Sequence, residues 1–321
     1  MATSQIVQRT LSAFRPPQRA WTPISPALAA TQVKELPIPP TRVSLVTQNV
    51  DAFSPRPIAR AQLLLSDILE ATHPPDILFL QEVTSDVHSA ILANPKVREA
   101  FLVTDAEDRT SFEDVPFANI TLLARKRFAF DFDSSKVGEK EPEEAFGDRY
   151  ILGPVSRITL SSEYRRCALA VDIIPSFASS VTFRLINVHL DSLGHTFQYR
   201  AAQLEILANL LREPGCSGGL IAGDFNAISP ADHMLLDKNG LVDAWVALHG
   251  EAGVEGATWG VDVARRDGLR AGRLDKVAMV ALQAQKMQIL RPRQIEVPKP
   301  CAPSKYIPYS DHFGLKLDFT I

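Results

Sequence analysis

Residues 218–226 read GGLIAGDFN, a buried run that ends in a carboxylate and an amide. The apolar residues 220–222 predict a short interior strand, and Gly223 predicts a close approach of the backbone to a neighbour or a phosphate. Side chains two residues apart in an extended segment point the same way, so Asp224 and Asn226 share a face. A simple strand exit would also explain this stretch, so its meaning depends on how the other strands end.

Other predicted strands end in polar residues in the same way. Each strand is a β-branched or apolar run that turns polar at its end, as a buried strand does where it meets a site. Asn49 lies near the end of RVSLVTQNV and Asp51 follows it, Glu82 follows DILFL, His189 lies near the end of VTFRLINVHL and Asp191 follows it, RLDKVAMVA carries Asp275, and HFGLKLDFTI begins with His312 after Ser310 and Asp311.

Strands separated by hairpin-length gaps lie between residues 118 and 188. Helical periodicity appears over 57–71 and 195–211, each after a predicted strand. This mixture predicts a mixed or antiparallel sheet core covered by helices, and it argues against a sheet of parallel strands alone.

Several carboxylates in one poorly solvated cleft repel one another unless a proton or a cation neutralises them. Oxygen ligands suit Mg²⁺, with Mn²⁺ as the alternative ion. We therefore expect a divalent metal site with Glu82 as its first ligand and Asp51 and Asp311 as further ligands.

The remaining strand-end residues are predicted to act on a phosphate group. His312 is next to Asp311 in the sequence, and Asp275 is nearby in the sheet; an imidazolium at His312, held by a carboxylate, would stabilise negative charge on a non-bridging oxygen. Asp224 would orient and deprotonate the attacking water, while the asparagines donate hydrogen bonds to the phosphate or hold neighbouring carboxylates. The predicted catalytic set is Asn49, His189, Asp224, Asn226, Asp275 and His312.

Each of these motifs is weak alone, because a single histidine is more often a satisfied core or surface residue. Their order along one chain is informative: TQNVD, LQEV, NVHLDS, GDFN, RLDKV and SDHFGL over residues 42–321 resemble the endonuclease/exonuclease/phosphatase superfamily of Mg²⁺-dependent phosphodiesterases. The resemblance implies an α/β fold, a four-layer α/β/β/α sandwich of two mixed sheets flanked by helices, with the site between the sheets. It also implies that Glu82 binds the metal and that Asp275 orients His312.

HLDSLGHTFQYRAAQLEIL (189–207) and LVDAWVALHGEAGVEGATWG (241–260) resemble the 5′-tyrosyl-DNA phosphodiesterase branch. That branch hydrolyses the phosphodiester between a topoisomerase tyrosine and a DNA 5′ end. By this resemblance Ser192 and Trp259 bind substrate, with core packing as the alternative role of Trp259. The chain departs from the branch at Gln48, Ala52 and Ile228, where tryptophan, glycine and arginine are usual. An arginine missing at Ile228 removes a contact to a phosphate or base.

Three functions therefore stay open: a phosphodiesterase acting on a DNA 5′ end, one acting on RNA or a small phosphoester, and a catalytically silent binding module. The first is favoured. The third is least favoured, because no core motif position carries an inert residue.

Composition and charge limit what can be predicted about binding partners and cellular location. The formal net charge of −3 argues against a surface that clamps nucleic acid everywhere, but it permits a local basic groove. No apolar run has the roughly 18 residues of a membrane helix, and three widely spaced cysteines form neither a zinc motif nor a disulfide framework. We expect an intracellular protein of the nucleus or cytoplasm with a nucleic-acid partner. No protein partner can be deduced.

The first 40 residues are rich in proline, serine and threonine, and the first acidic residue is Glu35. This composition predicts a disordered tail over 1–40, with a mitochondrial transit peptide as the alternative, followed by one catalytic domain over 41–321. The polar and acidic stretch at 131–149 is predicted to be a solvated loop.

Overall fold

Two mixed β-sheets form the middle of the protein. A computed structural model describes residues 5–26, 42–132, 149–176, 181–250, 254–261, 270–299 and 302–321. The strands are β1 Ile6–Arg9, β2 Leu11–Arg15, β3 Ala20–Pro26, β4 Arg42–Asn49, β5 Ile77–Val83, β6 Phe101–Thr104, β7 Ala118–Ala124, β8 Phe128–Phe132, β9 Tyr150–Thr159, β10 Cys167–Pro175, β11 Phe183–His189, β12 Gly219–Asp224, β13 Val242–Asp243, β14 Asp275–Val280, β15 Gln283–Leu290, β16 Gln294–Lys299, β17 Ala302–Pro308 and β18 Gly314–Thr320.

Short and medium helices connect these strands. The α-helices are α1 Pro57–Leu69, α2 Ser85–Ala93, α3 Pro95–Ala100, α4 Phe197–Leu210, α5 Pro230–His233, α6 Leu235–Lys238 and α7 Ala244–His249, and 3₁₀ turns lie at Thr110–Phe112, Gly194–Thr196 and Val254–Gly256. None of the helices in the described ranges has the length and apolar character needed to cross a lipid bilayer.

The strand order defines the two sheets. The first sheet runs β13-β14-β12-β11-β10-β9, and both β1 and β8 pair with β9. The second sheet runs β15-β18-β4-β5-β7-β6-β2-β3, and β3 joins the sheets by pairing with β8. The pairs β4–β5, β8–β9 and β11–β12 are parallel, and the other described pairs in the two sheets are antiparallel. The predicted mixed sheets are confirmed.

Apolar side chains fill the space between the sheets, and helices cover both outer faces. Phe79 of the second sheet and Leu169 of the first are fully buried in the shared core. Leu64 of α1 packs on the outer face of the second sheet, and Leu204 of α4 packs on the outer face of the first. Fully burying one such side chain stabilises a fold by about 1.5–3 kcal/mol. The layers are those of the predicted four-layer α/β/β/α sandwich.

The predicted disordered tail is wrong for residues 5–26. In this segment β1 pairs with β9, β2 with β6 and β3 with β8. Leu11 and Ala13 are buried, and Arg9 Nε lies 2.6 Å from a carboxylate oxygen of the fully buried Asp105. The proline content misled the prediction, because Pro16 and Pro17 form the turn between two strands, where proline is favoured.

Other predictions fall partly outside the described residues. Residues 1–4 and 27–41 lie outside them, as do 133–148, which make up most of the loop predicted at 131–149. Cys167 and Cys216 are free thiols that are partly exposed, and Cys301 lies outside the described residues.

Candidate active site

Three predicted residues form one row across the first sheet. His189 on β11 pairs with Asp224 on β12, and Asp224 pairs with Asp275 on β14. Directly paired residues point to the same face of a sheet, and this face is the one that packs against the second sheet. Two carboxylates side by side repel each other, so the row requires positive charge close by.

The second sheet supplies the other half of the site. Asn49, at the end of β4, donates through Nδ2 to Glu82 Oε1 and to Asp224 Oδ2, each at 3.1 Å. Its Oδ1 accepts from the backbone N–H of Asp51 at 2.9 Å, which fixes the orientation of the amide. Asn49 therefore joins a carboxylate of each sheet across the cleft.

Unusual backbone angles turn two of these side chains at the ends of their strands. Glu82 has φ 57° and Asn226 has φ 48°, both in the left-handed region that non-glycine residues rarely adopt. Glu82 also lies where the β5–β7 register shifts, between Leu80 and Val83. Strained positions of this kind cluster at functional sites.

Gly223 is confined by the neighbouring strand. It has φ 142°, and a Cβ built on it would lie 1.9 Å from the backbone oxygen of Val188. The predicted close approach is confirmed, and the group approached is the β11 backbone. Glycine therefore holds Asp224 directly beside His189.

A carboxylate–imidazole pair sits at the centre of the cluster. His312 Nδ1 lies 2.8 Å from Asp275 Oδ2, and its Nε2 lies 3.8 Å from Asp224 Oδ2. Burial disfavours the charged ring, but the negative charges of Asp275 and Asp224 outweigh it and raise the pKa of His312 well above its usual value. This shift favours the charged imidazolium at neutral pH, the form that the predicted role as oxyanion stabiliser needs.

Burial is the main cause of the pKa shifts of Asp224, Glu82 and His189. It raises the pKa of Asp224 to about 7 and raises the pKa of Glu82 above its ordinary value. Burial, with the charge of Arg166, lowers the pKa of His189 well below its usual value, so this ring is neutral. His189 Nε2 lies 3.5 Å from Asp224 Oδ2, and the structure gives no partner to its buried Nδ1.

The donor set fits a hard divalent cation. Ligand atoms of Glu82, His189 and Asp224 lie within 4.8 Å of one another, and so do those of Asp224, Asp275 and His312. The raised pKa values of Glu82 and Asp224 show that the protein alone under-stabilises these anions. A cation bound to Glu82 and close to Asp224 would supply the missing positive charge.

Comparison with known proteins agrees with this geometry. The family model described as "Endonuclease/Exonuclease/phosphatase family" matches residues 46–312. The chain belongs to the endonuclease/exonuclease/phosphatase family. Members of this family are hydrolases of phosphoester bonds. No curated protein sequence matches the chain.

Solved structures share the fold at low sequence identity. D. rerio TDP2 complexed with a single-strand DNA product has a TM-score of 0.62 and 19% identity, over 88% of this chain and 100% of that one. Truncated C. elegans TDP2 has a TM-score of 0.59 and 18% identity, over 87% and 98%. The human Nocturnin catalytic domain with bound sulfate has a TM-score of 0.55 and 20% identity, over 88% and 94%. At these identities the likeness shows the fold.

Two of the three predicted metal ligands lie outside the cluster. Asp51 Oδ1 accepts from the backbone N–H groups of Phe53 and Ser54, and its Oδ2 lies 3.5 Å from the buried Arg60 guanidinium. This carboxylate therefore caps the loop before α1. Asp311 is exposed, and its Oδ2 accepts from Trp259 Nε1 at 3.1 Å. The alternation of side chains could not reveal these competing partners.

Three further predicted residues, Asn226, Trp259 and Ser192, make contacts around the cluster. Asn226 Nδ2 donates to the backbone oxygen of Leu190 at 3.0 Å, so this amide ties β12 to β11 and does not hold a carboxylate. Trp259 forms an isolated backbone bridge with His312, which places it beside the site. Ser192 Oγ accepts from Arg166 Nη2 at 3.1 Å.

The departures from the branch also have structural explanations. Gln48, buried, donates to the backbone oxygens of Asn49 at 2.7 Å and His312 at 3.0 Å, so it fastens two catalytic strand ends. Ala52 donates its backbone N–H to Glu82 Oε2 at 2.9 Å. Ile228 is half-buried and provides no charge.

Sequence reasoning missed the cleft beside His189. The cleft has a volume of about 540 Å³, and Phe117 and Arg166 line it. The Phe117 ring stacks on His189 at 5.5 Å with an interplanar angle of 11°, and the guanidinium of Arg166 lies 5.0 Å from the Phe117 ring centre. The adjacent arginines Arg165 and Arg166, just before β10, were the sequence signal for this cleft. They are far from the strand-end motifs in the sequence, so their position beside the site could not be predicted.

Buried polar contacts fix the two halves of the site. Gln81, next to Glu82, donates to Asn187 Oδ1 at 2.8 Å across the sheets, two residues before His189. On the outer face of the first sheet, buried Lys276 donates to Asp243 Oδ2 at 3.1 Å and so holds the strand that carries Asp275.

Proposed function

We propose that the protein is a Mg²⁺-dependent phosphodiesterase that hydrolyses a phosphodiester at a DNA 5′ end, with a 5′-phosphotyrosyl adduct as its substrate. The observation that carries the proposal is the contact between the carboxylate–histidine cluster and the aromatic cleft, made where Phe117 stacks on His189. The fold shared with D. rerio TDP2, whose structure contains a single-strand DNA product, supports a DNA ligand.

Asp224 is the group suited to activate water. Its Oδ1 accepts from the backbone N–H of Asn226 at 2.8 Å, which fixes the orientation of the carboxylate that would take the proton of the water. The water oxygen would form the new bond to phosphorus as its proton passes to Asp224. The bond from phosphorus to the leaving oxygen then breaks, which leaves a 5′ phosphate.

The two histidines serve different electrostatic roles. Because Asp275 keeps His312 charged, its Nε2–H can stabilise the negative charge that grows on a non-bridging oxygen. The neutral His189 can donate one hydrogen bond to the same phosphate without adding a charge. Asn49 holds Glu82 and Asp224 in a fixed relation through both of its amide hydrogens.

Glu82 would hold the divalent cation beside Asp224, which stays available as the base. When bound, the cation supplies charge neutralisation and electrophilic activation of the phosphate. Asp224 is buried and Glu82 is half-buried, so water would screen these charges weakly and both effects would be stronger.

The cleft beside His189 matches an aromatic leaving group. Phe53 and Phe117 meet edge to face at 5.7 Å, and Arg166 offers a guanidinium over the Phe117 ring. A tyrosine ring would find aromatic and cationic contacts there, each favourable for a π system. Tyrosine leaves as a phenolate, so little protonation of the leaving oxygen is needed. This reaction would place the protein in DNA repair inside the cell.

A substrate panel tests the proposal. Turnover of a 5′-phosphotyrosyl oligonucleotide is compared with that of an abasic duplex, a poly(A) strand and an inositol phosphate in Mg²⁺. The tyrosyl substrate is expected to have the highest kcat/KM. A higher value for poly(A) or for the inositol phosphate would instead establish the RNA or small-phosphoester function.

Variants separate chemistry from folding. Glu82→Ala and His312→Ala are each expected to lower turnover by at least about 10², as removal of a transition-state stabiliser does. His249→Ala, at an exposed histidine at the end of α7, is the matched control and should retain turnover. Near wild-type turnover in either site variant would refute the role of that residue.

A further inference from the structure

A hairpin formed by β16 (Gln294–Lys299) and β17 (Ala302–Pro308) projects from the active-site end of the second sheet. It is a separate two-stranded sheet that pairs with neither large sheet among the described residues. The strands that lead into and out of it, β15 and β18, pair Leu290 with Gly314, two residues after His312. The hairpin therefore extends those strands past the catalytic end.

Contacts with α1 hold this projecting hairpin in place. An isolated two-stranded hairpin is at best marginally stable in water, so it needs such anchors. Arg293 pairs with Asp67 of α1, and Arg56, the residue before α1, donates to the backbone oxygen of Glu296. Tyr309 N–H also donates to the backbone oxygen of Arg293 at 2.9 Å, which closes the base of the hairpin.

The projecting hairpin and its base carry positive charge in an acidic protein. Residues 291–308 contain four basic residues and one acidic residue, a net charge of +3, whereas the whole chain has a formal net charge of −3. Lys305 is exposed, and Tyr306 is 60% exposed. At the base, the Arg291 guanidinium lies 5.2 Å from the ring of Phe313, the neighbour of His312.

Strand order places the catalytic groups between the projecting hairpin and the cleft beside His189. In the second sheet the order is β15-β18-β4-β5-β7, so β15 and β18, which lead into and out of the hairpin, lie at one edge and β7, which lines the cleft, lies further in. Asn49 of β4 and Glu82 of β5 lie between them. A phosphodiester bound at the cluster would thus have its leaving group in the cleft and its nucleotide chain toward the hairpin.

We infer that the projecting hairpin holds the single-stranded nucleotides that follow the scissile phosphate, with Lys305 at the sugar-phosphate backbone and Tyr306 stacked on a base. This inference rests on the proposed function. Basic side chains with an exposed aromatic ring are the means by which proteins bind single strands, the charge attracting phosphates and the ring accepting any base. An acidic peptide would satisfy the charge but would leave the ring without a base to stack on.

Direct binding tests the inference without depending on hydrolysis. The affinity of a fluorescein-labelled single-stranded oligonucleotide is measured by anisotropy for the full-length protein and for Lys305→Ala, Tyr306→Ala and the double variant. Each single variant is expected to weaken binding by about 5- to 10-fold and the double variant by more, and the charge variant should also reduce the salt dependence. Lys238→Glu, at an exposed lysine of α6, is the control and should bind as the wild type does.

The outcomes separate this inference from the proposed function. Unchanged affinity in the double variant, with thermal melting that shows a folded protein, would overturn the inference and leave the proposed function standing. Equal affinity of the wild type for poly-glutamate would also overturn it, because that polymer has charge but no bases. Weakened binding in the variants, together with no hydrolysis of a tyrosyl oligonucleotide by the wild type, would support the inference and refute the proposed substrate.

Discussion

The substitution Asp224→Asn tests how much the buried charge of this residue lowers the free energy of unfolding of the metal-free protein. Asp224 is 2% exposed and lies beside Asp275, so its charge is poorly solvated and is repelled by a neighbour. Burial is the main reason that its pKa rises from 3.8 to about 7. The asparagine side chain has nearly the same shape but carries no charge.

The linkage between protonation and folding sets the size of the effect. Between pH 3.8 and about 7 the folded state keeps a proton that the unfolded state releases, so stability falls as pH rises through this window. At about 1.4 kcal/mol for each pH unit, the charge costs about 4 kcal/mol at pH 8 and about 2 kcal/mol at pH 5. Loss of a hydrogen bond that the carboxyl oxygens accept offsets about 1.5 kcal/mol at either pH.

Urea unfolding in EDTA is the appropriate assay. At pH 8, Asp224→Asn is expected to be more stable than the wild type by about 2–3 kcal/mol, and at pH 5 the two should be nearly equal. Asp237→Asn, an exposed carboxylate of α6, is the control and should change stability by less than about 0.5 kcal/mol. A variant that is less stable than the wild type at pH 8, or whose advantage does not depend on pH, would refute the reasoning.

Three further predictions concern the metal, the histidine and the backbone. Glu82→Gln should weaken Mn²⁺ binding in titration calorimetry by at least about 10-fold. Asp51→Asn should leave the affinity unchanged, because that carboxylate caps a loop. An equal loss of Mn²⁺ affinity in both variants would show that Asp51 is a ligand. Asp275→Asn should lower kcat by at least about 10². It should also move the alkaline fall of the pH–rate profile to lower pH, because the raised pKa of His312 depends on this carboxylate. A pH–rate profile that does not move would contradict the pairing of Asp275 with His312. Gly223→Ala should unfold the protein or lower its Tm sharply, because the added Cβ would lie 1.9 Å from a backbone oxygen, while Gly194→Ala, with nothing within 4 Å, should melt as the wild type does.

The strand-end pattern predicted a mixed sheet core covered by helices, and the resemblance of the ordered motifs to the family implied the four-layer sandwich; of the predicted site residues, the structure brings His189, Asp224, Asp275 and His312 together. The strand-end predictions succeeded because a buried strand that ends in a polar residue has a local signature, and because the side-chain period of two is a property of the backbone. His189, Asp224 and Asp275 become neighbours through strand pairing, which needs only the correct order of strands.

The errors arose where a distant partner decides the role of a side chain. Asp51 pairs with Arg60, which no local pattern distinguishes from a metal ligand. Arg166 reaches Phe117 only through the packing of separate strands. The N-terminal strands were missed because the proline-rich composition outweighed the short apolar signal of Leu11 and Ala13, both of which are buried.

The polar edge strand β15 was missed for a related reason. Its sequence QAQKMQIL is mostly exposed, and only Met287 is buried within it. Edge strands are commonly polar, since charge there discourages pairing with other molecules. A sequence of this kind has no apolar run to mark it, so its pairing with β18 supplies the only evidence for a strand.

Release of tyrosine from a 5′-phosphotyrosyl oligonucleotide tests the central claim most directly. The wild-type protein in Mg²⁺ is expected to release tyrosine and leave a 5′-phosphorylated strand, and EDTA or Glu82→Gln should lower the rate by at least about 10². Release at an unchanged rate in EDTA, or no release by the wild-type protein in Mg²⁺, would contradict the account.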